Sequence, residues 1–208
     1  MDFAYSPKVE ELRRNLLDFM DGHVYAAESV YAEQVRASGD PHFYPPVMDD
    51  LKKEARSRGL WNLFMPDEQY GAGLTNLEYA PLAEITGRSP HIAPEALNCA
   101  APDTGNMEIL AEYGTDEQRD AWLKPLLEGE IRSCFSMTEP EVASSDASNI
   151  QGRIVREGDH YVINARKWWS SGAADARCKI AIVMGVTNPD ADQYRRQSMV
   201  LEIGRAHV

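Results

Sequence analysis

Apolar positions along this chain change period once, near Gly129. Before it they recur every three or four residues, the spacing of helices with one buried stripe; after it they alternate every two, the spacing of strands. Ser6 and Pro7 predict a helix start, with serine at the N-cap and proline in the first turn. Val9, Leu12, Leu16, Phe19, Ala26, Ala27 and Val30 continue that helix to about Ala37, ahead of Gly39-Asp-Pro41. Pro46 predicts a second helix with Val47, Leu51 and Ala55 inward, closed by Gly59. Leu60 to Pro66 is too apolar and too short for a surface helix and predicts a buried connector.

Thr75 and Glu78 have the spacing of a capping box, worth about 1 kcal/mol. Its helix runs to about Thr86, with a bend expected at Pro81. A further helix is predicted from about Thr104 to Tyr113. Thr115 and Gln118 form a second capping box ahead of Ala121, Trp122 and Leu123, and Pro125 is expected to bend or end that helix. From Ile131 the chain reads as strands: Ile131 to Met137, Asn149 to Arg156, His160 to Trp169, Lys179 to Val186, and a fifth beginning at Gln197. Glu157-Gly-Asp159 is a hairpin turn between the second and third. The fold class is therefore α+β. An all-helical domain over residues 1–130 precedes an incomplete, antiparallel, β-barrel-like domain over residues 131–201.

Composition narrows the function. The 208 residues are 43% hydrophobic, enough for a sizeable core. A net charge of −12 argues against a nucleic-acid surface, which needs a basic stripe, without excluding a local basic cluster for a ligand phosphate. Cys99, Cys134 and Cys178 are odd in number and far apart, so neither a zinc site nor a disulfide framework is suggested, and a reducing, cytoplasmic setting fits. Of the five histidines, His207 lies in the last few residues and the others are scattered with no H-x-x-x-H, so no metal site is expected. The N-terminus lacks the pattern of a signal peptide, and no apolar run approaches a membrane span.

Two segments carry the candidate chemistry. An apolar strand leads into Phe135-Ser-Met-Thr-Glu-Pro-Glu-Val-Ala-Ser-Ser-Asp146, and one hairpin later comes Lys167-Trp-Trp-Ser-Ser171. Together they suit a planar, phosphate-bearing cofactor. Backbone groups and Thr138 would meet the polar edge of a ring, Ser144 and Ser145 would meet a phosphate, and Trp169 would flank the ring. Glu139 and Asp146 read as structural acids, paired with backbone or basic groups. Trp168 reads as core packing or surface cover. No Gly-x-Ser-x-Gly and no dinucleotide-binding glycine fingerprint occurs.

Both segments resemble the flavin-binding signature of the acyl-CoA dehydrogenase family. Leu63-Phe-Met-Pro66, Tyr70-Gly71, Leu74-Thr-Asn-Leu-Glu-Tyr-Ala80 and Gly114-Thr-Asp-Glu-Gln-Arg119 also match family hallmarks. The chain departs from the commonest family pattern, Thr-Glu-Pro-Gly-x-Gly-Ser-Asp. Its own stretch, Thr138 to Asp146, is one residue longer and has no glycine. That variant, with the double tryptophan and Lys179-Ile-Ala-Ile-Val183, resembles the branch containing acyl-CoA dehydrogenase members 10 and 11.

The resemblance implies FAD as cofactor. Phe135, Met137, Thr138, Ser144, Ser145, Trp169 and Ser171 would be its binding residues, and Ser145 would also lie near a bound acyl-CoA. The implied reaction oxidises an acyl-CoA thioester to the trans-2-enoyl thioester. Its likeness also implies an electron-transferring flavoprotein as acceptor, a homodimer or homotetramer, and a catalytic base on a C-terminal four-helix domain. That domain is not in these 208 residues, so no catalytic residue is assigned and the chain alone is expected to be inactive and poorly soluble. An acyl-CoA oxidase, a flavin monooxygenase and a DNA-associated stress protein of the same fold are the alternatives. Residues 202–208, Glu-Ile-Gly-Arg-Ala-His-Val, read as a non-native tail.

Overall fold

A computed structural model describes residues 4–203; the ends of the chain, with all but the first two residues of the suspected tail and the start of the N-terminal segment, lie outside the described residues. The chain divides into two compact units between Glu112 and Tyr113. The first is helical. The second holds the last helical turns and the sheet.

In the first unit, α1 (Pro7–Phe19) starts where Ser6 Oγ accepts the Val9 N–H. It runs through a π turn, Met20–Val24, into α2 (Tyr25–Ser38), and Gly39 ends the helix in the left-handed conformation at φ 70°. The π turn shifts the inward stripe. Val24 and Ala27 are buried, whereas Ala26 and Val30, expected inward on an unbroken helical period, are exposed. One extra residue in a turn rotates everything after it by about a quarter of a helical turn, and the sequence period alone cannot show where that happens.

Helix α3 (Val47–Ser57) buries Met48, Leu51 and Ala55. Helix α4 (Asn76–Thr86) begins with the predicted capping box, both of whose hydrogen bonds form. It continues through Pro81 to Thr86 as one helix. Leu16, Phe19, Met20, Leu60, Leu63, Leu74 and Leu82 share one core with these elements. The connector of residues 60–66 is buried as expected. Its fixing contact was not legible beforehand: Asn62 and Asn98 are buried, both at φ 54°, and Asn98 Nδ2 donates to Asn62 Oδ1 at 2.7 Å. Asparagine tolerates this left-handed backbone better than bulkier residues do. The pair ties the connector to the chain after the short helix α5 (Ala93–Ala96), and α6 (Asp103–Tyr113) follows.

In the second unit, α7 (Asp116–Gln118) starts at the second capping box, again with both bonds present. A π turn, Arg119–Leu123, leads into α8 (Lys124–Leu127). The helix thus passes Pro125 instead of ending there. The wider turn lies just before Pro125, whose ring would otherwise press on the carbonyl one turn back.

The sheet comprises β1 (Arg132–Ser136), β2 (Arg153–Glu157), β3 (His160–Asn164), β4 (Cys178–Val186) and β5 (Gln197–Ile203), and it curls into a half-barrel. Strand β4 is its centre, with Ile180 to Val183 buried in succession, so both its faces are covered. Strand β5 pairs antiparallel along one side of β4. On the other side β1 pairs first, in parallel, and then Arg153 of β2 pairs with Val186. The expected antiparallel pairing therefore holds for β2/β3 and β4/β5, and the sheet as a whole is mixed. Residues 137–177 supply the long crossover that a parallel β1/β4 pair requires. Gly158, at φ 62°, turns the β2/β3 hairpin. Cys134, Ala181 and Val183 centre the core of this unit.

Two of the predicted strands are shorter than expected. Residues 149–152 form the end of a 3-10 turn and a bonded loop, and β3 stops at Asn164 instead of running to Trp169. In both places backbone N–H groups go to a side chain or to a neighbouring loop: those of Gln151 and Gly152 to Glu139, and that of Trp168 to the Thr138 carbonyl.

Leu16→Ala is expected to cost about 2–5 kcal/mol through the cavity it leaves, and Thr75→Ala about 1 kcal/mol through the lost cap. Denaturant unfolding followed by circular dichroism measures both. An equal or smaller cost at Leu16 would remove it from the core assigned here.

Candidate functional site

The loop after β1 is held by a buried carboxylate. Glu139 is 5% exposed. Its Oε2 accepts the Gln151 N–H at 2.8 Å, and its Oε1 accepts the Gly152 N–H and Lys167 Nζ, each at 2.8 Å. Lys167 Nζ also donates to the Met137 carbonyl at 2.8 Å. Ser144 Oγ accepts the Glu139 N–H at 2.8 Å. These bonds account for the shortened strands: the N–H groups of residues 151 and 152 are spent on a side chain instead of a sheet ladder. Lys167 is drawn in toward β1.

Burial raises the proton affinity of Glu139. The hydrogen bond from Lys167, the two backbone N–H donors and the ammonium charge outweigh it, so the carboxyl titrates below its ordinary value. Gly152 is required by this packing. A Cβ there would fall 2.6 Å from both Glu139 Oε1 and Ala165 Cβ. Asp146 Oδ1 accepts the N–H and hydroxyl of Ser148, which also lowers its pKa, so both acids serve structure, as the sequence suggested.

The same clamp brings the two chemistry-bearing segments together. The Trp168 N–H donates to the Thr138 carbonyl at 3.1 Å, and the hydroxyls of Ser136 and Ser170 meet at 3.1 Å. Met137 and Thr138 at the end of β1 thus lie beside Lys167 and Trp168, with Trp169 next in the chain. Trp169 adopts φ 55°, a left-handed backbone that a bulky residue reaches only when its surroundings hold it there. The residue is 79% exposed. Phe135, Met137 and Thr138 are half-buried, and Ser145 and Ser171 are exposed. Among the described residues the hydroxyls of Thr138, Ser145 and Ser171 make no hydrogen bond.

Ser144 differs from its expected place at a phosphate. It is 3% exposed, and its hydroxyl is committed to Glu139. Nothing in the side-chain contacts ties Ser145 to Thr138 or Trp169; it stands on the outer part of the loop. The sequence reading missed Lys167 as the partner of Glu139, and Ser136 and Ser170 as a bridge. Their separations of 28 and 34 residues leave no local signal. Cys99 is free, and burial pushes its thiol up to about 11, so it is a protonated packing residue.

The order of a helical unit followed by a mixed-sheet unit matches that of solved acyl-CoA dehydrogenases. The family's N-terminal domain profile matches residues 6–130 and its middle domain profile matches residues 134–203. The chain belongs to the acyl-CoA dehydrogenase family.

It is 63% identical over 202 residues to "Probable acyl-CoA dehydrogenase FadE2" of Mycobacterium tuberculosis, covering 97% of this chain and 49% of that protein. It is 53% identical to acyl-CoA dehydrogenase family member 10 of Mus musculus, over 94% of this chain and 19% of that one. A solved structure from Mycobacterium abscessus, assigned to the acyl-CoA dehydrogenases, superposes with a TM-score of 0.89 at 50% identity, over 95% of this chain and 50% of its own. A glutaryl-CoA dehydrogenase from Mycobacterium smegmatis, solved with FADH2, shares the fold at a TM-score of 0.68 and 20% identity, over 95% of this chain and 46% of its own. The chain therefore spans about half the length of FadE2 and less of member 10. No described helix is long and apolar enough to cross a membrane.

Lys167→Met leaves the Glu139 carboxylate buried without its ammonium partner and is expected to cost about 3 kcal/mol. The pH dependence has a fixed sign. With its pKa held below the ordinary 4.5, Glu139 stabilises the fold above that value and loses the contribution as pH falls through its own, lower pKa. Urea unfolding between pH 7 and pH 3 checks this. The wild type should lose stability on acidification more steeply than Glu139→Gln.

Proposed function

We propose that this chain forms the flavin-binding part of an enzyme that oxidises acyl-CoA thioesters to trans-2-enoyl-CoA. One observation carries the reading. The clamp around Glu139 and Lys167 consumes the polar groups behind the loop and leaves the hydroxyls of Thr138, Ser145 and Ser171 without partners among the described residues, while Trp169, next to Trp168 in the clamp, is exposed in a left-handed backbone.

Those free groups fit FAD. Met137 and Thr138 would hold the polar edge of the isoalloxazine, Trp169 and Phe135 would flank it, and Ser171 would add a hydroxyl. Ser145 would meet the pyrophosphate and the incoming thioester. Ser144 contributes at one remove, by fixing the loop that presents Ser145. The bound flavin supplies the hydride-accepting chemistry. The protein residues orient the ring and shield it from water on the Trp169 side. No residue of this chain is assigned as the base that removes the α-proton. An electron-transferring flavoprotein as acceptor, assembly as a homodimer or homotetramer, and a reducing cytoplasm belong to the same proposal.

Anaerobic absorbance titration of the flavin-loaded protein at its natural length, with a panel of acyl-CoAs, tests it. Bleaching of the flavin band by one chain-length class is expected. A bound flavin that no acyl-CoA bleaches would overturn the dehydrogenase reading, and absence of flavin would overturn the cofactor. Trp169→Ala is expected to weaken flavin retention by about tenfold, by the loss of one aromatic contact, measured by fluorescence of released flavin.

A further inference from the structure

The sequence leaves Trp168 as core packing or surface cover. In the structure it is 47% exposed, and its indole meets that of Trp169, with ring centroids 5.7 Å apart and planes tilted by 59°. Consecutive side chains of an extended chain point to opposite sides, so neighbouring rings do not ordinarily meet. Here the left-handed backbone of Trp169, at φ 55°, breaks that alternation and allows the contact. The chain on either side is tied down. The Trp168 N–H donates to the Thr138 carbonyl at 3.1 Å, and the Ser170 hydroxyl meets that of Ser136 at 3.1 Å.

Those bonds fix the peptide chain and not the Trp169 ring. Among the described residues the Trp169 indole makes no hydrogen bond, and its one ring contact is with Trp168. An exposed indole samples several rotamers, and ordering it when a ligand arrives costs affinity. A tilted aromatic neighbour at this separation attracts the ring and narrows its choice of rotamer beforehand. Nothing else engages the Trp168 ring: its indole N–H has no partner among the described residues, and only its backbone serves the clamp.

We infer that Trp168 is a positioning residue: its ring holds the Trp169 indole at a set tilt, ready to lie against the flavin. The purpose rests on the flavin reading above, and the ring contact stands without it. Trp168 acts through Trp169 and need not touch the cofactor. Pre-ordering the indole lowers the cost of flavin binding without adding a contact to it.

Trp168→Leu and Trp168→Phe, made in the protein at its natural length, test this by two readouts. Two tilted indoles in contact give an exciton couplet in circular dichroism. With flavin removed, the wild type should show the couplet, and Trp168→Leu and Trp169→Ala should each lose it. With flavin bound, Trp168→Leu should weaken flavin retention about fivefold and change the circular dichroism of the visible flavin band. Trp168→Phe keeps a ring and should stay within about twofold of the wild type. Both variants should melt with the wild type, because the clamp uses only the backbone of residue 168. Wild-type retention and band shape in Trp168→Leu overturn the inference, and so does equal weakening in Trp168→Leu and Trp168→Phe. A couplet that survives Trp168→Leu removes the ring contact itself. If the wild type binds no flavin, the flavin reading fails, and the couplet still decides whether Trp168 holds Trp169.

Discussion

A carboxylate taken out of water must be surrounded by donors, and in this chain that requirement organises the sheet unit around Glu139. Its two oxygens collect a lysine and two backbone N–H groups, while its own N–H is held by Ser144. Four stretches of chain meet there: the end of β1, the serine loop, the approach to β2 and the segment after β3. None of them is regular structure at the meeting point. The carboxylate does for these loops what a hydrogen-bond ladder does for strands.

The arrangement separates polar groups into two sets. Those on the inside, Glu139, Lys167, Ser144, Ser136 and Ser170, are paired with one another. Those on the outside, Thr138, Ser145 and Ser171, are not, and Trp169 is largely exposed. On the proposed flavin reading, the cost of ordering this loop would already be met within the fold. The loop from Thr138 to Asp146 contains no glycine, and Ser144 turns inward to hold the Glu139 N–H.

Around this junction β4 acts as the fixed element. It pairs with β5 on one side and with β1 and β2 in turn on the other. Past Ser136, which pairs with Val183, β1 delivers Met137 and Thr138 toward the C-terminal end of β4. At that same end the pairing of Val186 with both Arg153 and Gln197 assembles a basic cleft from residues 44 positions apart in the chain. Net charge says nothing of such a place. An acidic total of −12 coexists with a cleft that no acid lines.

Much of the fold was legible in the sequence. The change of period at Gly129, the two capping boxes, the glycine-closed helix ends and the hairpin turn at Gly158 are local signals, produced by side chains acting on their own backbone within a few residues, and they appear in the structure where the sequence puts them. The motif segments from Phe135 and from Lys167 were legible too, since resemblance needs only the order of residues. What the tertiary structure alone decided was pairing at a distance: the Glu139–Lys167 clamp, the inward turn of Ser144, the parallel run of β1 beside β4, and the contact of Asn62 with Asn98. It also decided the phase of α2 after the π turn and the early ends of β2 and β3. In each case a backbone or side-chain group could be satisfied in more than one way locally, and the partner that settled it came from a part of the chain tens of residues away or from packing that no local period records.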